Sequence, residues 1–225
     1  MKAPRWDKEV DVLVIGGGAG GMSAAITAHI HGSSVLLVEK TDRIGGSTAI
    51  SGGAVWAPLN SQSAAVGHPD TFEKVWSYMR NTVGDAAPEA MQRAFLNSSA
   101  EAVDFLEKNT EVKLAARKYS PDYYPDREGA AFGGRSLDPV MFDGRLLGEH
   151  FRELRDPLPE FMVLGGMMIT MTDANHLLRA PSPRARSLTS ANGQRRRATA
   201  SPQAGAIRFW QAAGRSQGRA SNQNR

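Results

Sequence analysis

Gly16, Gly18 and Gly21 follow the apolar run of residues 10–15 in the spacing G-x-G-x-x-G. That spacing suits phosphate chemistry. The first glycine permits a tight turn after a strand, the second lets backbone approach a pyrophosphate, and the third allows a helix to pack closely on the strand. A helix starting at Ala19 and Gly20 offers free N–H donors and a partial positive charge to the phosphates. Glu39 lies 18 residues after Gly21, where it can accept hydrogen bonds from a ribose diol, and it argues only against a ribose 2′-phosphate. FAD and NAD both fit these residues.

For the glycines to act, a strand and a helix must flank them. Residues 10–15 are apolar and β-branched, residues 20–31 read as a helix of small residues stopped by Gly32, and residues 35–38 read as a second strand. Strand, turn, helix and strand fit in about 30 residues, the size of one βαβ unit with parallel strands. The sequence therefore predicts a doubly wound α/β fold, and these elements together with Glu39 favour dinucleotide binding over a turn that collects glycine for structural reasons alone. Further on, Phe72, Val75, Trp76, Met79 and Val83 recur at helical spacing up to Gly84. A second helix is expected after Pro88, a third from Ser98 with Glu101 completing a capping box, and a short one near residues 147–154. Residues 119–134, rich in Pro, Gly, Asp and Tyr, read as a loop crossing or lining a site.

The choice of cofactor comes from residues 39–58. Gly45, Gly46, Ser47, Thr48, Ser51, Gly52 and Gly53 crowd into nine residues, a composition that lets backbone run close to an extended ligand, the alternative being a flexible surface loop. The stretches GGGAGG, VEK and GGSTAISGGAVWAP resemble the flavoprotein superfamily of fumarate reductase and succinate dehydrogenase, most closely its 3-ketosteroid dehydrogenase branch. PDYYPDREG and FMVLGGMMIT are similar to that branch too, so the resemblance covers roughly residues 8–178. It implies an α/β fold, a Rossmann-like FAD-binding domain carrying the start of an inserted substrate domain. It also implies that Gly16, Gly18, Gly21, Glu39, Lys40, Gly46, Ser47, Gly52 and Gly53 line FAD. Ser47 and Thr48 stand where some relatives carry a flavin-linking histidine, and no His lies between His31 and His68, which implies a non-covalent FAD.

Desaturating a carbon–carbon bond next to a ketone needs a hydride acceptor, a base for the α proton and donors for the enolate-like oxygen. A tyrosinate could serve as base only with donors or positive charge nearby, since free Tyr titrates near ~10. The resemblance implies such a Tyr, and PDYYPD looks like its place. Tyr123 is the candidate catalytic residue, with Tyr124 and Tyr119 behind it; the alternative is that these aromatics anchor a long loop by packing. No metal site is expected, because Cys is absent and the five His are scattered. The resemblance implies a ketosteroid-like small-molecule substrate and an electron acceptor of unknown kind as partners.

Residues 179–225 contain ten of the 27 basic residues and none of the 23 acidic ones, so 17 basic residues face 23 acidic ones before that point. This tail has few large apolar residues and no periodicity and is expected to be disordered. Its composition is what out-of-frame translation of a GC-rich gene gives. The expectation is a frameshift between about Leu177 and Pro183, leaving 1–178 as the N-terminal part of the flavoprotein domain, truncated and inactive. The rival reading makes the chain a flavin-binding scaffold or sensor whose basic arm binds nucleic acid or an acidic partner. Such an arm would bind phosphates without sequence preference, so no specific nucleic acid is expected. The N-terminus lacks the apolar run of a signal peptide and no window is apolar enough to span a membrane, which predicts a soluble, cytoplasmic chain.

Overall fold

The computed structural model of the chain describes residues 7–162. The Arg-rich tail and most of FMVLGGMMIT lie outside the described residues. The described residues of the chain divide into two units, one formed by residues 7–51 and 141–162 and the other by residues 52–140.

In the first unit, β1 (Val12–Ile15) and β2 (Val35–Val38) pair in parallel, Val12 opposite Val35 and Ile15 opposite Val38. Helix α1 (Ala19–Ile30) joins them. It buries Met22, Ala25 and Ile26, whose i, i+3, i+4 spacing gives one apolar stripe. Register is pinned at the start of the strands: Asp11 Oδ2 accepts from Ser34 N (2.8 Å) and from Ser34 Oγ (2.7 Å), while Ser34 Oγ accepts from Asp11 N (3.0 Å). After a short helix α2 (Gly46–Ala49), the chain leaves this unit and returns at Met141. The returning segment runs as 3₁₀ turns over Gly144–Glu153 with a kink at Gly148, where an ordinary short helix was expected. Phe142, Leu147 and Leu154 pack there with Ile44.

The second unit has a three-stranded antiparallel sheet that the sequence pattern did not predict. Its strands are β3 (Val55–Trp56), β4 (Leu114–Ala116) and β5 (Ser136–Pro139), in the order β3-β5-β4. Helix α3 (Phe72–Thr82) matches the expected periodicity; Thr71 caps it by accepting from Lys74 N at 3.3 Å. The expected break at Ser98 does not occur, because α4 runs unbroken over Glu89–Asn109. Ser98 Oγ instead donates to the Ala94 carbonyl one turn back (2.7 Å), the ordinary fate of a serine inside a helix. Gln92, Leu96, Ser99 and Val103 form the buried stripe of α4. The core of this unit is Val75, Met79 and Leu96, with Trp56, Leu59, Phe72, Trp76 and Val83 packed against them. Among the described residues no helix is long and apolar enough to cross a membrane.

Candidate functional site

The glycine turn sits between β1 and α1, where the sequence puts it. Gly16 takes φ +106°, a value that L side chains rarely adopt, and its N–H donates to the Val38 carbonyl (2.7 Å). A Cβ at Gly21 would overlap the Gly16 carbonyl oxygen, so the third glycine is fixed by helix-to-strand packing. A Cβ at Gly18 or Gly20 would meet nothing within 4 Å, so the space before the helix start is open, as a pyrophosphate requires. No side chain caps Gly18 and no acidic residue lies in the first turn of α1, which leaves the helix start suited to anions.

Glu39, just past β2, reaches back to this turn. Its Oε2 accepts from Gly17 N (2.7 Å) and its Oε1 from Thr41 N and Thr41 Oγ1 (both 3.2 Å). The Gly17 bond first, and the Thr41 bonds after it, hold the carboxyl below the usual carboxylate range. A carboxylate so depressed stabilises the fold above its ordinary range, and that contribution is lost as pH falls through the lower, folded-state value. Acid titration should therefore cost the wild type stability that Glu39→Gln never had; equal pH slopes in the two proteins, measured by urea unfolding, would refute the assignment.

The second glycine segment folds onto the first. Gly45 N donates to the Gly17 carbonyl (2.9 Å), and Thr48 Oγ1 accepts from Ala19 N (3.3 Å) at the helix start. Ile44 holds this loop from behind: its N–H donates to Glu153 O (2.7 Å), its carbonyl accepts from Arg155 N (2.8 Å), and Arg43 donates to the carbonyls of Arg152 and Leu154. Gly16, Gly18, Ala19, Gly20, Gly21, Glu39, Gly45, Gly46 and Thr48 are thus brought together. Lys40 and Ser47 are exposed nearby in sequence, and Ser51 Oγ donates to the Thr48 carbonyl (2.9 Å). Gly52 and Gly53 open the other unit.

That unit holds a cleft of about 430 Å³, within the ~300–1,000 Å³ usual for small ligands. Trp56, Tyr78 and Met79 line it together with Arg117, Tyr123 and Tyr124. Tyr123 is 98% exposed, so packing does not account for its place. Tyr124 is anchored, its N–H donating to Tyr78 Oη (3.3 Å), and Tyr119 does not line the cleft. Arg117 is gripped by Asp138 through Nε (2.7 Å) and Nη2 (2.6 Å); that bond, against partial burial, and then the charge of Asp138, hold its guanidinium above its ordinary value.

Behind the tyrosines lies a group that sequence reasoning missed. Arg135 is buried and donates to Asp70 Oδ2 (2.8 Å) and Oδ1 (2.9 Å), to Asp122 Oδ2 (2.6 Å) and to the Gly129 carbonyl (2.8 Å). Burial opposes its charge, yet the two carboxylates more than offset this and hold it above its ordinary value. Asp122 also accepts from Trp56 Nε1 (2.8 Å) and Ala131 N (2.9 Å). The backbone on either side of Tyr123 and Tyr124 is fixed in this way, and one residue beyond a buried Asp122 the chain turns Tyr123 outward. Asp70, Asp122 and Arg135 are 65 and 13 residues apart in pairs, which no local spacing reveals.

A parallel strand, glycine turn, helix and strand, with an acidic side chain at the end of the second strand, defines a Rossmann-like dinucleotide-binding unit. The sequence pattern of the FAD binding domain family matches residues 11–216, and the chain belongs to that family. FAD is the family's cofactor, and the open cradle at Gly18 and Gly20 with Glu39 beside it fits that group. The chain is 39% identical over 165 residues to 4-oxocyclohex-2-ene-1-carboxylate 5-dehydrogenase of Sinomonas cyclohexanicum, covering 73% of this chain and 28% of that protein. It is 38% identical over 184 residues to 3-oxosteroid 1-dehydrogenase of Mycolicibacterium smegmatis, covering 80% and 32%. Its fold is similar to that of 3-ketosteroid delta1-dehydrogenase from Sterolibacterium denitrificans, solved in complex with 1,4-androstadiene-3,17-dione, with TM-score 0.80, 33% identity, and 92% and 39% of the two chains covered. The chain thus spans about a third of the length of these relatives.

Proposed function

We propose that this chain carries the FAD-binding site and one wall of the substrate site of a dehydrogenase that desaturates a carbon–carbon bond next to a ketone in a ketosteroid-like ring. The observation that supports the reading is Tyr123, exposed and lining a cleft of about 430 Å³, next in the chain to the buried Asp122. FAD, when bound non-covalently against Gly16, Gly18 and Gly21, supplies the hydride acceptor. Tyr123 takes the proton from the carbon next to the carbonyl, with Arg117 as the neighbouring cation. Trp56 and Met79 cover the apolar face of the ring and exclude water. The chain spans about a third of the length of these relatives, and by itself it is expected to show no turnover.

Binding is the test. The FAD-loaded chain should release all of its flavin on acid precipitation, because no histidine is in place to link it. A neutral 3-ketosteroid should quench tryptophan fluorescence in wild type, less in Trp56→Phe, and bind more weakly to Tyr123→Phe. Flavin left on the precipitated protein refutes the non-covalent part, and a ketosteroid without effect on the fluorescence refutes the substrate part.

A further inference from the structure

We propose that Asp70, a positioning residue acting through Arg135 and Asp122, sets the charge of the cleft so that it selects uncharged ring ketones over ring ketones bearing a carboxylate. The inference rests on the cleft being the substrate's place.

The charges on the cleft walls can be followed group by group. Arg117 presents its guanidinium to the cleft beside Tyr123, and Asp138, off the lining but bonded to it twice, balances it, so the pair adds no net formal charge. Arg135, Asp70 and Asp122 do not cancel: two carboxylates share one guanidinium, so the wall leaves a formal excess of one negative charge. The side chains of all three are at most 3% exposed, so water screens that excess little. Asp122 lines the cleft directly and Asp70 lies behind Arg135. The remaining lining has no other charged residue: Trp56, Tyr78, Met79 and Val83 are apolar or aromatic surface that a neutral ring can cover. Arg127, with its guanidinium 5.9 Å from the Tyr124 ring, is exposed, and its charge is screened by solvent. An anionic substituent would therefore enter against an uncompensated charge, while a ketone of the same shape would not. At an effective dielectric near that of partly buried sites, one such charge is worth about tenfold or more in affinity.

The test uses the full chain and two probes that share the ring ketone and differ by one charge and one methyl group, oxocyclohexanecarboxylate and its methyl ester, with binding followed by ligand-observed NMR. The wild type should bind the ester at least about tenfold more tightly than the carboxylate at low salt, and the gap should narrow as salt is added. Asp70→Asn, which keeps the Arg135–Asp122 pair and removes the excess charge, should narrow the gap by strengthening carboxylate binding relative to ester binding. A wild type that binds both probes equally overturns the charge selection and leaves the substrate reading standing; this arm needs no variant. An Asp70→Asn protein that folds with the gap unchanged assigns the selection elsewhere and also overturns it. If neither probe binds and the ketosteroid does not bind either, the reading of the cleft falls, and this inference with it.

Discussion

Replacing Arg135 by leucine is expected to lower the unfolding free energy by about 3–5 kcal/mol, the cost of leaving a buried carboxylate without its cation. Here the loss falls on two carboxylates at once, since Asp70 and Asp122 both depend on that guanidinium. Urea unfolding followed by tryptophan fluorescence measures it. The built-in comparison is Arg117→Gln, which breaks an equally short pair with Asp138 whose side chains are about 40% exposed. Solvent already screens that pair, so its loss should cost no more than about 1 kcal/mol. If the two variants lose similar amounts, water reaches the Arg135 group, and the rigid wall beneath Tyr123 and Tyr124 is not what holds that loop.

The second large effect separates folding from cofactor binding within one turn. Gly18→Val should cost no more than about 1 kcal/mol, the loss of a favoured N-cap glycine, because its Cβ would meet nothing within 4 Å, yet should abolish FAD retention by filling the pyrophosphate's path. Gly21→Ala, three residues on, should cost about 1–3 kcal/mol in the fold itself, since its methyl group has to displace the Gly16 carbonyl. Flavin co-eluting with the protein on gel filtration, read beside the unfolding curve, distinguishes the two. A Gly18→Val protein that keeps its flavin would show that the pyrophosphate does not lie against this turn.

What the sequence determined by itself is local. β1, α1 and β2 were legible because they are consecutive, their periodicity is regular, and the glycine spacing carries its own backbone geometry. FAD rather than NAD was legible from the second glycine segment, and α3 from its apolar stripe closed by Gly84. Legibility failed where neighbours in space are distant in the chain. The strands β3, β4 and β5 are two to four residues long and include Ala, Ser, Asp and Pro, so no alternation marks them; their partners across the sheet make them strands. The capping pattern at Ser98 and Glu101 was overridden because Leu96, Ser99 and Val103 continue one buried face straight through it. The clasp of Ile44 on Glu153 and Arg155 spans more than a hundred residues and has no local signature. Tyr123 could be singled out from PDYYPD, but whether it packs inward or faces a cleft was decided by the tertiary structure around Asp122. That buried carboxylate must find Arg135 and Trp56, which are distant in the chain, and the next side chain along, Tyr123, is left exposed.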